Sequence, residues 1–88
     1  MSTVEETNMS TKESRVAAID EAIKRGGGIV AFSKAMGVTH QAIYNWRNRG
    51  WAPLERAIAI EAVFGINRYE TMDPSAARVL IASPDSNG

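Results

Sequence analysis

Glycines divide the first three quarters of the chain into short segments, and this division most constrains what the chain can fold into. They stand at Gly26-Gly27-Gly28, Gly37, Gly50 and Gly65. Within the segments, apolar residues recur three or four positions apart, as they do on one face of an α-helix. Glycine commonly follows the last residue of a helix, and no segment alternates apolar and polar residues as a strand would. The sequence therefore predicts an all-α fold, a compact bundle of four to six short helices.

Local signals predict where these helices begin and end. Ser10 with Glu13 matches a capping box, and Thr39 can cap a helix through its hydroxyl. Asp73 precedes a proline, and Pro53 suits the first helical position of its own helix. We expect helices over residues 11–25, 29–36, 40–48, from Pro53 to the residue before Gly65, and 75–82, with a short turn at 68–70 capped by Asn67.

Each predicted helix has an apolar stripe that should face a common core. The stripes consist of Val16, Ile19, Ala22 and Ile23; of Ile29, Phe32 and Met36; of Ile43 and Trp46; of Leu54, Ala57, Ile58 and Ala62, with Ile60, Val63 and Phe64 nearby; and of Val79 and Leu80. The cluster Val79-Leu80-Ile81 has two interpretations. It closes the protein's own core, or it forms a contact with a second copy of the chain.

Size and composition restrict the functions that the chain can perform. The 88 residues form one domain, and the absence of cysteine excludes disulfides and thiolate metal sites. No apolar run approaches the roughly 20 residues that span a bilayer, and the polar, acidic N-terminus is not a signal peptide. We expect a cytoplasmic protein with a disordered extension at 1–10, a folded domain at 11–82, a flexible tail at 83–88 and no membrane contact.

Charge is unevenly distributed, although the formal net charge of the chain is zero. Residues 1–14 carry a net charge of −2, whereas residues 29–56 carry a net charge of +3. A local basic patch can engage phosphates even when the whole chain is neutral. The distribution therefore favours double-stranded DNA as a partner of the central segment.

The stretch from Phe32 to Gly50 predicts a helix-turn-helix. Gly37 tolerates the positive φ that such a turn needs, and Ile43 and Trp46 give the second helix an inner face. The outward face of that helix consists of Thr39, His40, Gln41, Tyr44, Asn45 and Asn48. Asn and Gln pair bidentately with adenine and His donates to guanine acceptors. We therefore predict that this face reads base edges in a major groove of DNA.

Lys34, Arg47 and Arg49 flank the polar face and are predicted to contact phosphates, which position a protein without reading sequence. Plainer interpretations stay open. His40 can be a solvated surface residue and Tyr44 a half-buried core residue, and the two arginines can be ordinary solvated charges. Trp51 either packs under the fourth helix or lies at the DNA backbone.

The chain resembles the Cro-like phage repressors and the related YdaS-type regulators, which implies a lambda-repressor-like fold. The residues that carry the resemblance are Gly26-Gly27, Ala35–Thr39 at the turn, Gln41–Trp46 in the third helix and Pro53–Glu61 in the fourth. The resemblance implies a phage or prophage repressor that binds a palindromic operator as a homodimer. It also assigns base reading to the positions of His40, Gln41, Tyr44 and Asn45. The tail lacks the β-strand arm that some Cro proteins use to dimerise.

Two other functions remain open at this point. The CII-type activators share a similar turn and a tryptophan in the recognition helix, so an activator is one alternative. A protein-interaction module, either an antitoxin or an adaptor, is the other, with a partner bound through the N-terminal extension or the C-terminal helix. We expect no enzyme and no cofactor, because no nucleophile, base and orienting group can be assembled. One histidine without cysteines or a carboxylate cluster makes no metal site.

Overall fold

The computed structural model describes residues 11–82 and places them in five α-helices and one short 3-10 helix. The helices are α1 (Lys12–Arg25), α2 (Ile29–Met36), α3 (His40–Arg49), α4 (Leu54–Phe64) and α5 (Pro74–Ala82), with the 3-10 helix (Arg68–Glu70) between α4 and α5. The predicted all-α fold is confirmed for this part of the chain. The predicted extension at 1–10 and tail at 83–88 lie outside the described residues.

The first helix begins one residue later than predicted. Thr11 is its N-cap: the Thr11 Oγ1 accepts a hydrogen bond from the Ser14 backbone N–H at 3.0 Å, and the Ser14 Oγ accepts one from the Thr11 backbone N–H at 2.9 Å. The prediction that Ser10 and Glu13 form this box is wrong, because the Ser14 hydroxyl reaches back to the cap in place of a glutamate. In α3, by contrast, Thr39 is the cap that was predicted, and its Oγ1 accepts from the Ala42 N–H at 3.0 Å.

Two proline-containing signals mark the starts of α4 and α5 to within one residue. Pro53 has an extended ψ of 152°, so it is the N-cap of α4 and not its first helical residue. Asp73 Oδ1 accepts a hydrogen bond from the Ser75 N–H at 3.0 Å, and α5 begins at Pro74. The predicted cap of the 3-10 helix is confirmed, since Asn67 Oδ1 accepts from the Tyr69 N–H at 2.7 Å.

The main core lies between α1, α2, α3 and α4. Its buried members are Ile19, Ala22, Phe32, Met36, Ile43, Trp46, Ala52, Ile60 and Ile66. The rings of Phe32 and Phe64 pack with their centroids 5.3 Å apart and tilted by 33°, which joins α2 to α4. The predicted inner faces of α1, α2 and α3 are confirmed in their central residues. The inner side of α3 is thereby packed against α1 and α2.

The prediction of which side of α4 faces the core is wrong, because the buried side is rotated about the helix axis from the predicted one. The side chains that α4 buries are Ala57 and Ile60, whereas Leu54 and Ile58 keep 40% and 37% of their surface exposed. Apolar residues surround much of α4, so the sequence allowed more than one inner face. The packing of Phe64 against Phe32 selects the face that contains Ile60.

The last helix packs through the small residue Ala77 and not through Val79 or Leu80. Ala77 is buried and forms a second cluster with Ala57 and Met72. Val79 and Leu80 remain 63% and 46% exposed. The interpretation that these two residues close the protein's own core is therefore wrong, because the alanine side of α5 faces α4 instead.

Three arginines donate hydrogen bonds to carbonyl groups at the C-terminal ends of helices. The pairs are Arg15 Nε with the Gly50 oxygen at 2.6 Å, Arg25 Nη1 with the Phe64 oxygen at 2.7 Å, and Arg56 Nη1 with the Met36 oxygen at 3.2 Å. The last carbonyls of a helix lack partners within the helix and carry the negative end of its dipole. Each arginine therefore ties the end of one helix to a different helix.

An isolated parallel bridge pairs Ala52 with Met72. The Ala52 N–H donates to the Thr71 oxygen at 2.7 Å, so the segment after α3 is fixed to the segment before α5. Residues 11–82 contain no strand beyond this bridge. In the same residues, no helix has the length and apolar character needed to cross a membrane.

Candidate nucleic-acid interface

A three-residue turn, Gly37-Val38-Thr39, joins α2 to α3. Gly37 has φ 69° and ψ 35°, in the left-handed region that glycine enters without a side-chain penalty. The Val38 N–H donates to the Ser33 oxygen at 3.0 Å and so closes the end of α2. Ser33 is buried, and its hydroxyl is satisfied by the Val30 oxygen at 2.9 Å. The turn that the sequence predicted is confirmed.

The two sides of α3 have opposite character. Ile43 is fully buried and Trp46 keeps only 3% of its surface exposed, so both lie in the core as predicted. All six side chains predicted to read bases are exposed, namely Thr39, His40, Gln41, Tyr44, Asn45 and Asn48. Tyr44 keeps 48% of its surface exposed, which removes the alternative of a core residue. The outward side of α3 is a continuous row of hydrogen-bonding groups.

One hydrogen bond lies within this row. The Gln41 amide Nε2 donates to the Asn45 Oδ1 at 3.2 Å, one helical turn apart. Both side chains are exposed. The bond leaves the Gln41 oxygen and the Asn45 amide nitrogen available, so the pair presents an acceptor and a donor side by side.

Arg47 lies at one edge of the row and is held by Asp20 of α1. Its Nε and Nη2 donate to the two carboxylate oxygens of Asp20 at 2.7 and 3.2 Å. The hydrogen bond from Arg47 to Asp20, and then the negative charge of that carboxylate, raise the pKa of the Arg47 guanidinium above its ordinary value. Arg47 is a cation, as arginine side chains in proteins are in general.

Arg49 lies at the opposite edge, because successive residues are about 100° apart around an α-helix. Its guanidinium carbon stands 3.8 Å from the centre of the Trp51 ring, and its Nε donates to the Trp51 oxygen at 3.0 Å. Stacking of a guanidinium on an indole is favourable and restricts the side chain. Trp51 is half-buried and thus serves as the platform on which Arg49 rests.

The remaining basic residues of the central segment have different environments. Lys34 is exposed in the last turn of α2. Arg56 is half-buried and donates to the Met36 oxygen, so it serves the end of α2 and not the polar face. The net charge of +3 counted along residues 29–56 also omits Asp20, which balances Arg47 from another helix. Arg47 and Arg49 thus stand at the edges of the polar face, and Lys34 is exposed on the preceding helix.

A shallow cleft of about 300 Å³ opens between α1 and the outward side of α3. Val16, Tyr44, Arg47 and Asn48 line it. Its lining combines one apolar wall with three groups able to form hydrogen bonds. The cleft therefore lies between the polar face of α3 and an apolar side chain of α1.

Residues 11–82 contain no group of three or more histidines, cysteines, aspartates and glutamates that could hold a metal ion. His40 stands exposed at the start of α3. The chemistry that this face offers is hydrogen bonding and charge.

In this protein a three-residue turn joins a helix to a second helix whose inner side packs in the core and whose outer side is polar. This arrangement defines a small all-α protein of the helix-turn-helix class. Residues 19–72 match the family described as Bacterial toxin YdaS. The match covers more than half of the chain, and the chain belongs to this family. It runs from within α1 to the segment before α5 and includes the whole helix-turn-helix. Searches of curated proteins and of solved structures found no match.

The family match confirms the YdaS-type part of the resemblance. The structure adds residues that the sequence did not indicate. Asp20 and Arg15 act on α3 from outside it, 27 and 35 positions away along the chain, and no local signal connects them to it. From the sequence, Asp20 could be identified only as an acidic residue on a predicted helix. Nothing in its neighbours along the chain pointed to Arg47.

Proposed function

We propose that this protein is a sequence-specific DNA-binding regulator that places α3 in the major groove of an operator. The observation that carries the proposal is the exposure of all six hydrogen-bonding residues on the outward side of α3, while Ile43 and Trp46 anchor its inner side. Side chains of this kind distinguish base pairs in the major groove. A short helix that is fixed on one side and polar on the other is the geometry that such reading requires.

The edges of α3 support the same proposal. Arg47 and Arg49 stand on its two sides and Lys34 lies on the preceding helix. When a helix enters the major groove, the sugar-phosphate backbones run along both of its edges. Arginines at those edges contact phosphates and fix the register of the helix without reading the sequence.

The finer form of the proposal is a Cro-like repressor that binds a palindromic operator as a homodimer and excludes the polymerase. Two copies would place their α3 helices in successive major grooves about one helical turn apart. The side chains of Val79 and Leu80 on α5 are exposed, and in such a dimer they would form the contact between the copies. An activator of the CII type would use the same face of α3 and differ only in its effect on transcription.

A selection from randomised DNA duplexes tests the proposal. The purified protein is incubated with the duplexes at fixed, moderate salt, and the bound fraction is sequenced. We expect a short palindrome whose half-site spacing reports the dimer geometry. The double variant Gln41→Ala/Asn45→Ala should lose the motif, whereas Ser75→Ala, an exposed polar residue on α5, should recover it. Weak binding without any motif would leave only phosphate contacts and would contradict sequence reading.

The description of the family as a bacterial toxin supports a second candidate function, inhibition of growth. Controlled expression in a bacterium, with growth as the readout, tests it. Expression of the Gln41→Ala/Asn45→Ala variant in parallel separates two routes. Inhibition that disappears with the α3 face would operate through DNA, whereas inhibition that persists would favour a protein partner and the protein-interaction module.

A further inference from the structure

Asp20 is the acidic residue that touches the predicted DNA-binding face. Residues 11–82 contain three ion pairs: Arg25 with Glu21, Arg47 with Asp20, and Arg68 with Glu61. Only the pair of Arg47 with Asp20 includes a residue of α3. This pair joins α1 to α3, two helices that also meet in the core, and it lies at the edge of the exposed side of α3.

The geometry of this pair matches the geometry of a phosphate contact. Arg47 presents its Nε and Nη2 edge to Asp20, and each nitrogen donates to a different carboxylate oxygen. A guanidinium forms the same forked arrangement with two oxygens of a phosphate. Carboxylate and phosphate therefore compete for one edge of one side chain.

The pair is also open to exchange. The side chains of Arg47 and Asp20 keep 42% and 46% of their surface exposed. Ion pairs between such exposed groups are weak, because water and salt screen them. A DNA phosphate that approaches this edge of α3 can replace the carboxylate without unfolding any element of the core.

We infer that Asp20 is a positioning residue that competes with DNA phosphate for Arg47 and so lowers the affinity of the free protein for DNA. The inference rests on the proposed DNA-binding function and deepens it. In the free protein Asp20 keeps Arg47 extended along the edge of α3 and neutralises its charge. On DNA the guanidinium turns from the carboxylate to a phosphate, and the uncompensated Asp20 subtracts from the binding energy.

The experiment measures the affinity of the full chain for a DNA duplex over a range of salt concentrations, for wild type and for Asp20→Asn. Asparagine keeps the shape of the side chain and removes its charge. We expect Asp20→Asn to bind more tightly, with a steeper dependence on salt. In wild type the Asp20 carboxylate released from Arg47 takes up a cation when DNA binds, so wild type should release about one cation fewer than Asp20→Asn. The advantage of Asp20→Asn should therefore grow by about threefold between about 200 and 50 mM salt. Asp20→Ala, which keeps the helix, should behave in the same way.

Glu21→Gln is the matched control. It removes the same charge from the neighbouring position of α1, where Glu21 pairs with Arg25 and not with α3. Its effect on affinity should be clearly smaller than that of Asp20→Asn. A second test places Asp20→Asn in an Arg47→Ala background, where its gain should fall to that of Glu21→Gln because the competing partner is gone.

The outcomes separate the inference from the proposed function. Equal gains for Asp20→Asn and Glu21→Gln, a gain that persists in the Arg47→Ala background, or unchanged or weaker binding by Asp20→Asn would each overturn the role of Asp20. Wild-type protein that binds all duplexes equally would overturn sequence reading, while the comparison of Asp20→Asn with wild type would still report the competition. Absence of DNA binding by wild type and Asp20→Asn alike would overturn both.

Discussion

The Gln41 Nε2 donates a hydrogen bond to the Asn45 Oδ1 at 3.2 Å along the exposed side of α3. The two side chains face the same direction one turn apart, and each keeps one unused group for an external partner. Their mutual bond fixes the orientation of both amides. They form a two-residue unit at the centre of the face that we propose to read DNA.

Replacement of this pair tests the reading face directly. We expect Gln41→Ala and Asn45→Ala each to cost about 1–3 kcal/mol of binding free energy for the cognate site and to relax specificity at one position. The double variant should lose less than the sum of the two, because each single change already breaks their common hydrogen bond. Titration of the operator with each variant measures this, with Ser75→Ala as the control. Wild-type affinity in both single variants would show that the reading face has been placed wrongly.

Thr39 has two roles that a pair of substitutions can separate. Its Oγ1 caps α3 by accepting from the Ala42 N–H, and it is also predicted to face DNA. Thr39→Ala should lower the free energy of unfolding by about 0.5–2 kcal/mol because the cap is lost. Thr39→Asp keeps a capping oxygen and places a negative charge at the favourable end of the helix dipole. It should therefore retain stability but weaken DNA binding by repelling phosphates.

Urea unfolding and DNA titration of the two Thr39 variants check this prediction together. A stable Thr39→Asp protein with wild-type affinity for DNA would mean that the start of α3 does not approach the phosphates. Equal loss of stability in both variants would mean that the capping bond contributes little to the folded state.

Arg49 is expected to contact a phosphate from its position over the Trp51 ring. Arg49→Ala should weaken binding to all duplexes by a similar factor and reduce the slope of log affinity against log salt by about one. Arg78→Ala on α5 removes the same charge from an exposed position on another helix and serves as the control. A sequence-dependent loss in Arg49→Ala would instead assign base reading to this residue.

Arg15 is expected to be more important for stability than Arg25, although both donate to the end of a helix. The bond from Arg15 to the Gly50 oxygen is buried, whereas the bond from Arg25 to the Phe64 oxygen is exposed. Arg15→Met leaves a buried carbonyl without its donor and should cost about 1–3 kcal/mol of unfolding free energy. In Arg25→Met, water can replace the donor, and the loss should be smaller. Equal losses in urea unfolding would argue against burial as the cause.

Gly37 and Gly50 both follow a helix, and comparing them separates two reasons for glycine there: the left-handed backbone and the lack of space for a side chain. Both have positive φ, 69° and 94°. A Cβ at Gly37 would meet no atom within 4 Å, whereas a Cβ at Gly50 would lie 2.6 Å from the Lys12 Cγ. Gly37→Ala should therefore cost about 1–2 kcal/mol, the penalty for the left-handed backbone alone. Gly50→Ala should cost more, and the additional Lys12→Ala change should recover part of that difference in urea unfolding.

Much of the secondary structure followed from the sequence because its causes are local. The bounds of α2 at Ile29–Met36, the turn at Gly37 and the cap at Thr39 were all predicted from residues within a few positions of one another. The outward face of α3 followed in the same way. Once Ile43 and Trp46 are placed inside, helical periodicity alone determines which side chains point outward.

The sequence by itself thus determined the class of fold, the helix-turn-helix and the polar face proposed to read DNA. Tertiary structure decided which side of α4 enters the core, because several rotations of an apolar helix are compatible with its own sequence. It also decided which groups pair: Asp20 forms an ion pair with Arg47, and Arg15 donates a hydrogen bond to the Gly50 carbonyl at the end of α3. Such pairs join residues 27 and 35 positions apart. Their partners become neighbours only when the helices pack, so no periodicity or cap along the chain could have indicated them.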